Sequence, residues 1–214
     1  DADEPRVLVE QRVEFARPEL LLGRHVEEDR GVEVAAAAAH HQALERREAH
    51  RGVDALAVID GGVDLTHPWL VAQSGPIIPC WDYIDNDSLP YDELGGSCTG
   101  HGTFVTSIIR LTAPTARIRV YRVLDTAGQG DGYSISSAVL QAIADSCSII
   151  NLSLGMVGIH DGLDEALKLA HQLEVLVVAS AGNDSMSRAI SAGYSSATSL
   201  PTCSASPRSM ASRS

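Results

Sequence analysis

The chain has 214 residues, of which 44% are hydrophobic and 21% are charged, and its formal net charge is −12. This composition is that of a globular protein, and the length is enough for one domain with a buried core. No apolar run approaches the roughly 18 residues of a membrane-spanning helix, so we expect no membrane span. The acidic balance leaves no large basic surface for phosphates, so we also expect no nucleic-acid partner.

Residues 1–52 differ in composition from the rest of the chain. They contain no Ser, Thr, Lys, Ile, Tyr or Trp, and they carry 12 acidic against 8 basic side chains. An alanine-rich stretch favours helix by propensity, but its apolar face is weak. Two interpretations stay open for this extension: a solvated, partly disordered segment, which the lack of Tyr and Trp favours, or the remnant of a propeptide. We expect it to be mostly detached from the core.

From residue 53 onward, short apolar runs alternate with helical periods, which is typical of βαβ units around a parallel sheet. The predicted strands are Ala55–Ile59, Ile118–Val123, Ser148–Leu152 and Val175–Ala179. The predicted helices are Gly102–Arg110, Ser134–Asp145 and Leu163–Leu173. Each connection is long enough for a right-handed crossover. The sequence therefore predicts an α/β fold.

Three polar residues stand where an open parallel sheet gathers its reactive groups, at the carboxyl ends of strands. Asp60 follows the first strand, His101 lies between two glycines where a helix begins, and Asn183 follows the fourth strand. Each also has a structural explanation: a turn or cap for Asp60, a cap or metal ligand for His101, and a left-handed turn position for Asn183. In the functional interpretation, Asp60 accepts a hydrogen bond across the crevice and Asn183 donates one to a developing oxyanion.

Five motifs in chain order resemble the subtilisin-like serine proteases, or subtilases (peptidase family S8), from about residue 53 to about residue 200. The motifs are Val58–Asp64 with His67-Pro68, Gly100–Val105, Ala113-Pro114 with Arg122–Asp125, Ile150–Gly155, and Ala179–Asn183. The resemblance implies a three-layer, doubly wound, mostly parallel sheet and a monomer that hydrolyses peptide bonds of a polypeptide substrate. Secretion is the family's expectation, but no signal-peptide pattern follows Asp1, so the compartment stays open.

The resemblance also implies roles for individual residues. Asp60 matches the aspartate that orients the histidine, and His101 matches the general base. Asn183 matches the side-chain donor of the oxyanion hole. The segment Ser153-Leu154-Gly155 matches the edge along which these proteases hold an extended peptide through main-chain hydrogen bonds. Asp64, close to Asp60, is interpreted as a solvated turn residue.

The nucleophile is the point at which the sequence departs from the family. Subtilases carry it in a Gly-Thr-Ser-Met-Ala segment, which does not occur in these 214 residues. Ser209-Met210-Ala211 reproduces part of that segment, but Pro207-Arg208 stands where Gly-Thr belongs, so we do not expect Ser209 to act. We therefore expect a partial domain over residues 53–201 and an inactive chain. The alternative is a non-catalytic, peptide-binding fragment.

Residues 202–214 are polar where the family continues with an apolar strand. We interpret them as an irregular tail, and a frameshift near residues 200–202 would explain it.

The α/β pattern has a second interpretation from a different functional class, a doubly wound nucleotide-binding domain. It lacks its own signature, because no Gly-x-Gly-x-x-Gly or phosphate-loop motif follows any predicted strand.

An acidic loop separates the Asp60 and His101 motifs. Family members often bind calcium, so the loop has two interpretations, a calcium site or, as the spacing favours, a solvated surface loop. We expect no other cofactor and no metal at the catalytic residues. The acidic residues are Asp82, Asp85, Asp87, Asp92 and Glu93.

The cysteines and three histidines carry less specific signals. Cys80 and Cys98 flank the acidic loop, and either a disulfide between them or two unpaired thiols stays open. Cys147 begins a predicted core strand, where we expect it to pack. Three histidines are considered as metal ligands and are interpreted instead as part of a solvated helix face. They are His40, His41 and His50.

Overall fold

The computed structural model describes residues 35–39, 41, 55–155 and 161–180. Residues 35–39 are helical. The strands of the described part are β1 (Ala55–Asp60), β2 (Ile77–Asp82), β3 (Arg117–Arg122), β4 (Cys147–Leu152) and β5 (Leu176–Ala179). The helices after residue 55 in the described part are α1 (Pro68–Val71), α2 (His101–Thr112), α3 (Gly132–Ala144) and α4 (Asp161–Gln172).

The strands form one sheet in the order β2-β3-β1-β4-β5, and every neighbouring pair is parallel. From β1 the chain continues to β2 and β3 on one side of β1 and then to β4 and β5 on the other, so the topological switch lies at the carboxyl end of β1. Ligands of open α/β sheets bind at such switch points. Asp60 is the last residue of β1 and lies in register with Arg122 of β3. The predicted α/β fold with a parallel sheet is confirmed.

Helices cover both faces of the sheet because side chains alternate along each strand. On one face, Ala57 and Ile59 of β1 join a large apolar cluster that includes residues of α3 and α4. On the other face, Val58 packs in a smaller cluster with Val105 of α2 and Leu70 of α1. Burying each large aliphatic side chain contributes about 1.5–3 kcal/mol, so the smaller cluster holds α2 firmly against β1.

The predicted elements are confirmed within two residues at each end, but the sequence analysis missed β2 and α1. β2 contains Pro79. Proline lacks the N–H that a central strand needs, so a run that contains it is not typical of a central strand. In the described part of the sheet β2 pairs only with β3, at an end of the sheet where proline is tolerated.

The segment before the domain corrects one prediction. Ala39 is completely buried in the larger cluster, and Ala35 and Ala36 pack partly buried against it. The structure therefore corrects the prediction that residues 1–52 are mostly detached at Ala35, Ala36 and Ala39 alone, and for the rest of the segment it stays a prediction. Alanine brings a helix close to a surface without needing a large side chain, which the argument from missing aromatic residues overlooked. His41 is exposed, whereas His40, His50 and the rest of residues 1–52 lie outside the described residues, as do residues 202–214.

The end of α2 is anchored by a buried cation. The Arg110 residue is 0% exposed, and its Nη1 donates to the carbonyl oxygens of Pro114 at 2.9 Å and Ala116 at 2.7 Å. Its Nη2 donates to the carbonyl oxygen of Pro76 at 3.2 Å. Burial lowers the pKa of the guanidinium. This side chain joins α2 to the beginnings of β2 and β3.

We predict that Arg110→Met lowers the free energy of unfolding by about 3 kcal/mol, because it leaves three carbonyl groups without their donor. Arg117→Met is the matched control, since Arg117 is exposed and should change stability by less than about 0.5 kcal/mol. Urea unfolding followed by circular dichroism measures both changes. Equal midpoints for the two variants would contradict the anchoring role.

Candidate active site

Asp60 and His101 meet at the carboxyl edge of the sheet, as predicted. The Asp60 side chain is 1% exposed, and its Oδ1 lies 2.7 Å from Nδ1 of His101. The Gly61 N–H donates to the same oxygen at 2.7 Å. An ionised carboxylate only accepts hydrogen bonds, so this contact keeps the ring proton on Nδ1. The basic atom of the ring is then Nε2.

The second carboxylate oxygen has a different environment. Oδ2 of Asp60 is buried and has no hydrogen-bond partner among the residues that the structure describes. The imidazole of His101 is thus the side chain that contacts the Asp60 carboxylate in the described part of the chain.

Two glycines allow α2 to approach the loop after β1. A Cβ on Gly102 would lie 2.1 Å from the carbonyl oxygen of Gly62 and 3.3 Å from Cβ of Asp60. Gly62 itself has φ +97°, and a Cβ there would lie 2.4 Å from the carbonyl oxygen of Tyr91. Backbone therefore packs directly on backbone here. The 2.7 Å contact between Asp60 and His101 requires this close packing.

The acidic loop is built around Arg122 of β3. The Arg122 side chain is 2% exposed, and its Nη1 donates to Oδ2 of Asp82 at 2.9 Å and to Oδ2 of Asp85 at 2.7 Å. Its Nη2 donates to Oε2 of Glu93 at 2.8 Å. The interpretation of the loop as wholly solvated is wrong for Asp82 and for Asp92, because both are buried. Each is satisfied by internal donors instead of water.

The calcium interpretation stays a prediction. Three carboxylates of the loop pair with a guanidinium, and two of these, Asp85 and Glu93, keep about half of their side-chain surface exposed. Within residues 35–39, 41, 55–155 and 161–180, no group of three or more His, Cys, Asp or Glu residues is arranged to hold a metal ion.

Asp64 is the turn residue that the sequence analysis predicted. Its Oδ1 accepts from the N–H and the hydroxyl of Thr66 at 2.9 and 2.6 Å, and from the Tyr91 hydroxyl at 3.3 Å. The hydroxyl hydrogen bond from Thr66 is the main cause that lowers the pKa of the Asp64 carboxyl. The Asp64 side chain therefore stabilises its own turn, and none of these hydrogen bonds involves the ring of His101.

The segment Ser153-Leu154-Gly155 follows β4 directly. Ser153 and Leu154 are 1% and 2% exposed, whereas Gly155 is exposed. Nδ2 of Asn151 donates to Oγ of Ser153 at 2.9 Å, and Oγ of Ser180 donates to the carbonyl oxygen of Leu154 at 3.0 Å. With both side chains turned inward, a peptide could meet this segment only through main-chain groups and Gly155. Its predicted substrate role stays a prediction.

Two candidates cannot be placed. Asn183, the predicted oxyanion donor, lies outside the described residues, and so does Ser209. The sequence analysis assigned no function to Asp92 or Arg122, although both are buried and organise the loop before His101. The sequence feature that could have pointed to Asp92 is its place in the loop shortly before the Gly-His-Gly-Thr run.

The states of Cys80 and Cys98 match neither of the two alternatives in the sequence analysis. Cys80 is a free thiol, and Cys98 is disulfide-bonded, so neither a Cys80–Cys98 disulfide nor a pair of unpaired thiols is present. Cys147 is a buried free thiol at the beginning of β4, which confirms its packing role. Burial raises the pKa of Cys147 to about 12 and also raises the pKa of Cys80. Both thiols are therefore protonated and unreactive at neutral pH.

An apolar groove of about 690 Å³ runs along α2 from Gly100 to Leu111. Phe104, one turn after His101, is 53% exposed there, and Leu111 is 70% exposed. Trp69 and Leu94 form part of the opposite wall. The groove lies beside the Asp60–His101 pair but contains neither residue.

We predict that Gly102→Ala separates His101 from Asp60, because the added Cβ has no room against Gly62. Gly61→Ala is the matched control, since a Cβ there would lie 4.0 Å from the carbonyl oxygen of Leu124, an ordinary van der Waals distance. Nuclear magnetic resonance should show the hydrogen-bonded Nδ1 proton of His101 in the control and not in Gly102→Ala. Retention of this signal in both variants would show that close packing is not required.

Comparisons with known proteins agree with this geometry. A family model described as the subtilase family, peptidase S8, matches residues 54–210. Thermitase from Thermoactinomyces vulgaris is 36% identical over 133 residues, which cover 60% of this chain and 47% of thermitase. A thermophilic serine proteinase from Bacillus sp. strain AK1 is 37% identical over 142 residues, which cover 62% of this chain and 33% of that protein. The chain thus spans half or less of these curated relatives.

Solved structures give the same result for the fold. A lanthipeptide protease superposes with a TM-score of 0.53 at 32% identity, covering 72% of this chain and 47% of that one. A cold-adapted subtilisin-like serine proteinase superposes with a TM-score of 0.50 at 31% identity, covering 60% of this chain and 46% of the other. No helix in the described part of the chain is long and apolar enough to cross a membrane. The family match, the shared fold and the Asp60–His101 pair together establish that this chain belongs to the subtilase family of serine proteases.

Proposed function

We propose that Asp60 and His101 are the orienting aspartate and the general base of a Ser-His-Asp triad that hydrolyses peptide bonds in polypeptides. The observation that carries this proposal is the 2.7 Å contact between Oδ1 of Asp60 and Nδ1 of His101. The buried carboxylate and the glycine packing hold the imidazole in one orientation. Preorganisation of this kind is what general base catalysis requires.

The proposed reaction uses Nε2 of His101 twice. As a serine Oγ attacks the scissile carbonyl carbon, the C–O bond forms and the hydroxyl proton moves to Nε2. The imidazolium, stabilised by Asp60, then gives this proton to the leaving amine as the C–N bond breaks. Water repeats the two steps to release the acid product.

We propose that Asn183 donates to the oxyanion of the tetrahedral intermediate. In subtilisin, a member of the same family, loss of such a side-chain donor lowers kcat by about 10²–10³-fold. We propose that an extended peptide lies along Ser153-Leu154-Gly155. The exposed Gly155 and the inward side chains before it favour recognition through the main chain, which tolerates many substrate sequences.

The serine of the triad comes from a Gly-Thr-Ser-Met-Ala segment in this family, and these 214 residues contain none. We propose that the 214-residue chain by itself does not turn over peptides. The second candidate function is peptide binding without cleavage, which the intact acid–base pair and the Ser153–Gly155 segment would permit.

We predict that the 214-residue chain is not labelled by a fluorophosphonate probe and does not cleave a fluorescent casein substrate. Ser209→Ala should leave both results unchanged, because Pro207-Arg208 precedes this serine where Gly-Thr belongs. Active thermitase serves as the positive control for both assays. Labelling that disappears in Ser209→Ala would contradict the proposal and identify Ser209 as the nucleophile.

We further predict that Asp60→Asn shifts the titration of His101 to lower pH, because the imidazolium loses its ionised partner. Proton and nitrogen resonance spectra of the ring, followed against pH, measure the midpoint. Asp87→Asn is the control, since Asp87 is exposed and its Oδ1 accepts from the N–H of Leu89 within its own loop. Identical midpoints for both variants and the unchanged chain would refute the acid–base pairing.

A further inference from the structure

A carboxylate from the preceding loop caps the helix that carries His101. Asp92 is 5% exposed, and its Oδ1 accepts from the N–H of Gly100 at 2.8 Å. Its Oδ2 accepts from the hydroxyl of Thr103 at 2.5 Å and from the N–H of Thr103 at 3.2 Å. Gly100, the N-cap residue of α2, has no side chain that could satisfy these donors. Asp92 supplies the cap instead.

The same carboxylate is connected to the loop after Asp60. Oγ1 of Thr103 donates to Asp92 and accepts from the N–H of Asp64 at 2.8 Å. The backbone beside Asp92 also contacts this loop, since the Val63 N–H donates to the carbonyl oxygen of Pro90 at 3.0 Å. A continuous chain of hydrogen bonds therefore joins the loop that follows Asp60 to α2, the helix that carries His101.

We propose that Asp92 is a positioning residue for His101. It holds Gly100 and Thr103, which lie on either side of His101 in the sequence, and through Thr103 it ties α2 to the loop after Asp60. This proposal rests on the proposed function, because it concerns the base of that pair. Asp92 itself touches neither the imidazole nor Asp60 through any of its hydrogen bonds described above.

The arrangement requires a carboxylate. Three donors converge on the two oxygens of Asp92, and an ionised carboxylate accepts on both. An asparagine would present its amide nitrogen to one set of donors, and an alanine would leave all three without an acceptor. Loss of the cap frees the first turn of α2, which contains His101, before it affects the rest of the helix.

The chain offers a matched control for this cap. Asp131 caps α3 with the same chemistry: its Oδ1 accepts from the N–H of Ser134 at 2.8 Å and its Oδ2 accepts from the Ser134 hydroxyl at 2.7 Å. α3 does not carry His101. Asp131→Ala therefore removes an equivalent cap without touching the proposed positioning.

The test uses the 214-residue chain with labelled histidine and follows the hydrogen-bonded Nδ1 proton of His101 by nuclear magnetic resonance. Asp92→Ala should lose this signal, and Asp131→Ala should keep it. Thr103→Val removes the hydroxyl that links Asp92 to the N–H of Asp64, but it leaves the charge of Asp92 in place. Loss of the signal in this variant would therefore result from a changed position of His101 and not from a changed charge. Thr103→Ser keeps the hydroxyl and should restore the signal.

The outcomes separate this proposal from the function on which it rests. Absence of the signal in the unchanged chain would mean that the Asp60–His101 pair itself does not form, and the proposed function would fail. A signal in the unchanged chain that persists in both Asp92→Ala and Thr103→Val, as in Asp131→Ala, would overturn the positioning role alone. If Asp92→Ala does not fold, the near-isosteric Thr103→Val decides by the same criterion.

Discussion

The contact of the α2 backbone with the loop after β1 is the constraint on which the rest of the site depends. Gly102 lies against the carbonyl oxygen of Gly62, and no larger residue fits at either position without displacing backbone. This packing brings the first residue of α2 to the last residue of β1. The parallel sheet supplies the edge, but the two glycines determine that a histidine and a carboxylate meet there within hydrogen-bond distance.

Buried charged groups, more than apolar packing, organise the segments around this contact. Arg122 gathers the acidic loop, Arg110 anchors the end of α2, and Asp92 caps its beginning. A buried ion without its partner costs about 3–5 kcal/mol, so each of these groups is stable only in the arrangement that satisfies it. The loops therefore have one favoured conformation although they contain little regular structure. That rigidity is useful beside a base whose position decides its reactivity.

The sequence predicted the parallel sheet and the main helices because each is an apolar run or a helical period of ordinary length. Asp60 and His101 could also be predicted to meet, since their motifs match a family and both lie at strand and helix ends. β2 has no such uninterrupted pattern, since Pro79 divides its apolar run. The roles of Asp92 and Arg122 were missed because pairing between distant residues leaves no local pattern, so an acidic run looked like a solvated loop. The disulfide alternative failed for the same reason.

The proposed function depends on Asp60 and His101 working together as the orienting aspartate and the general base. A fusion of residues 1–180 of this chain to the segment of a subtilase that carries Gly-Thr-Ser-Met-Ala allows kcat for peptide hydrolysis to be compared with and without Asp60→Asn. We expect the fusion to cleave peptides and Asp60→Asn to lower kcat by about 10⁴-fold, as loss of the orienting aspartate does in other triads. A fusion whose kcat is the same with Asp60 and with Asn at this position would contradict the proposed function.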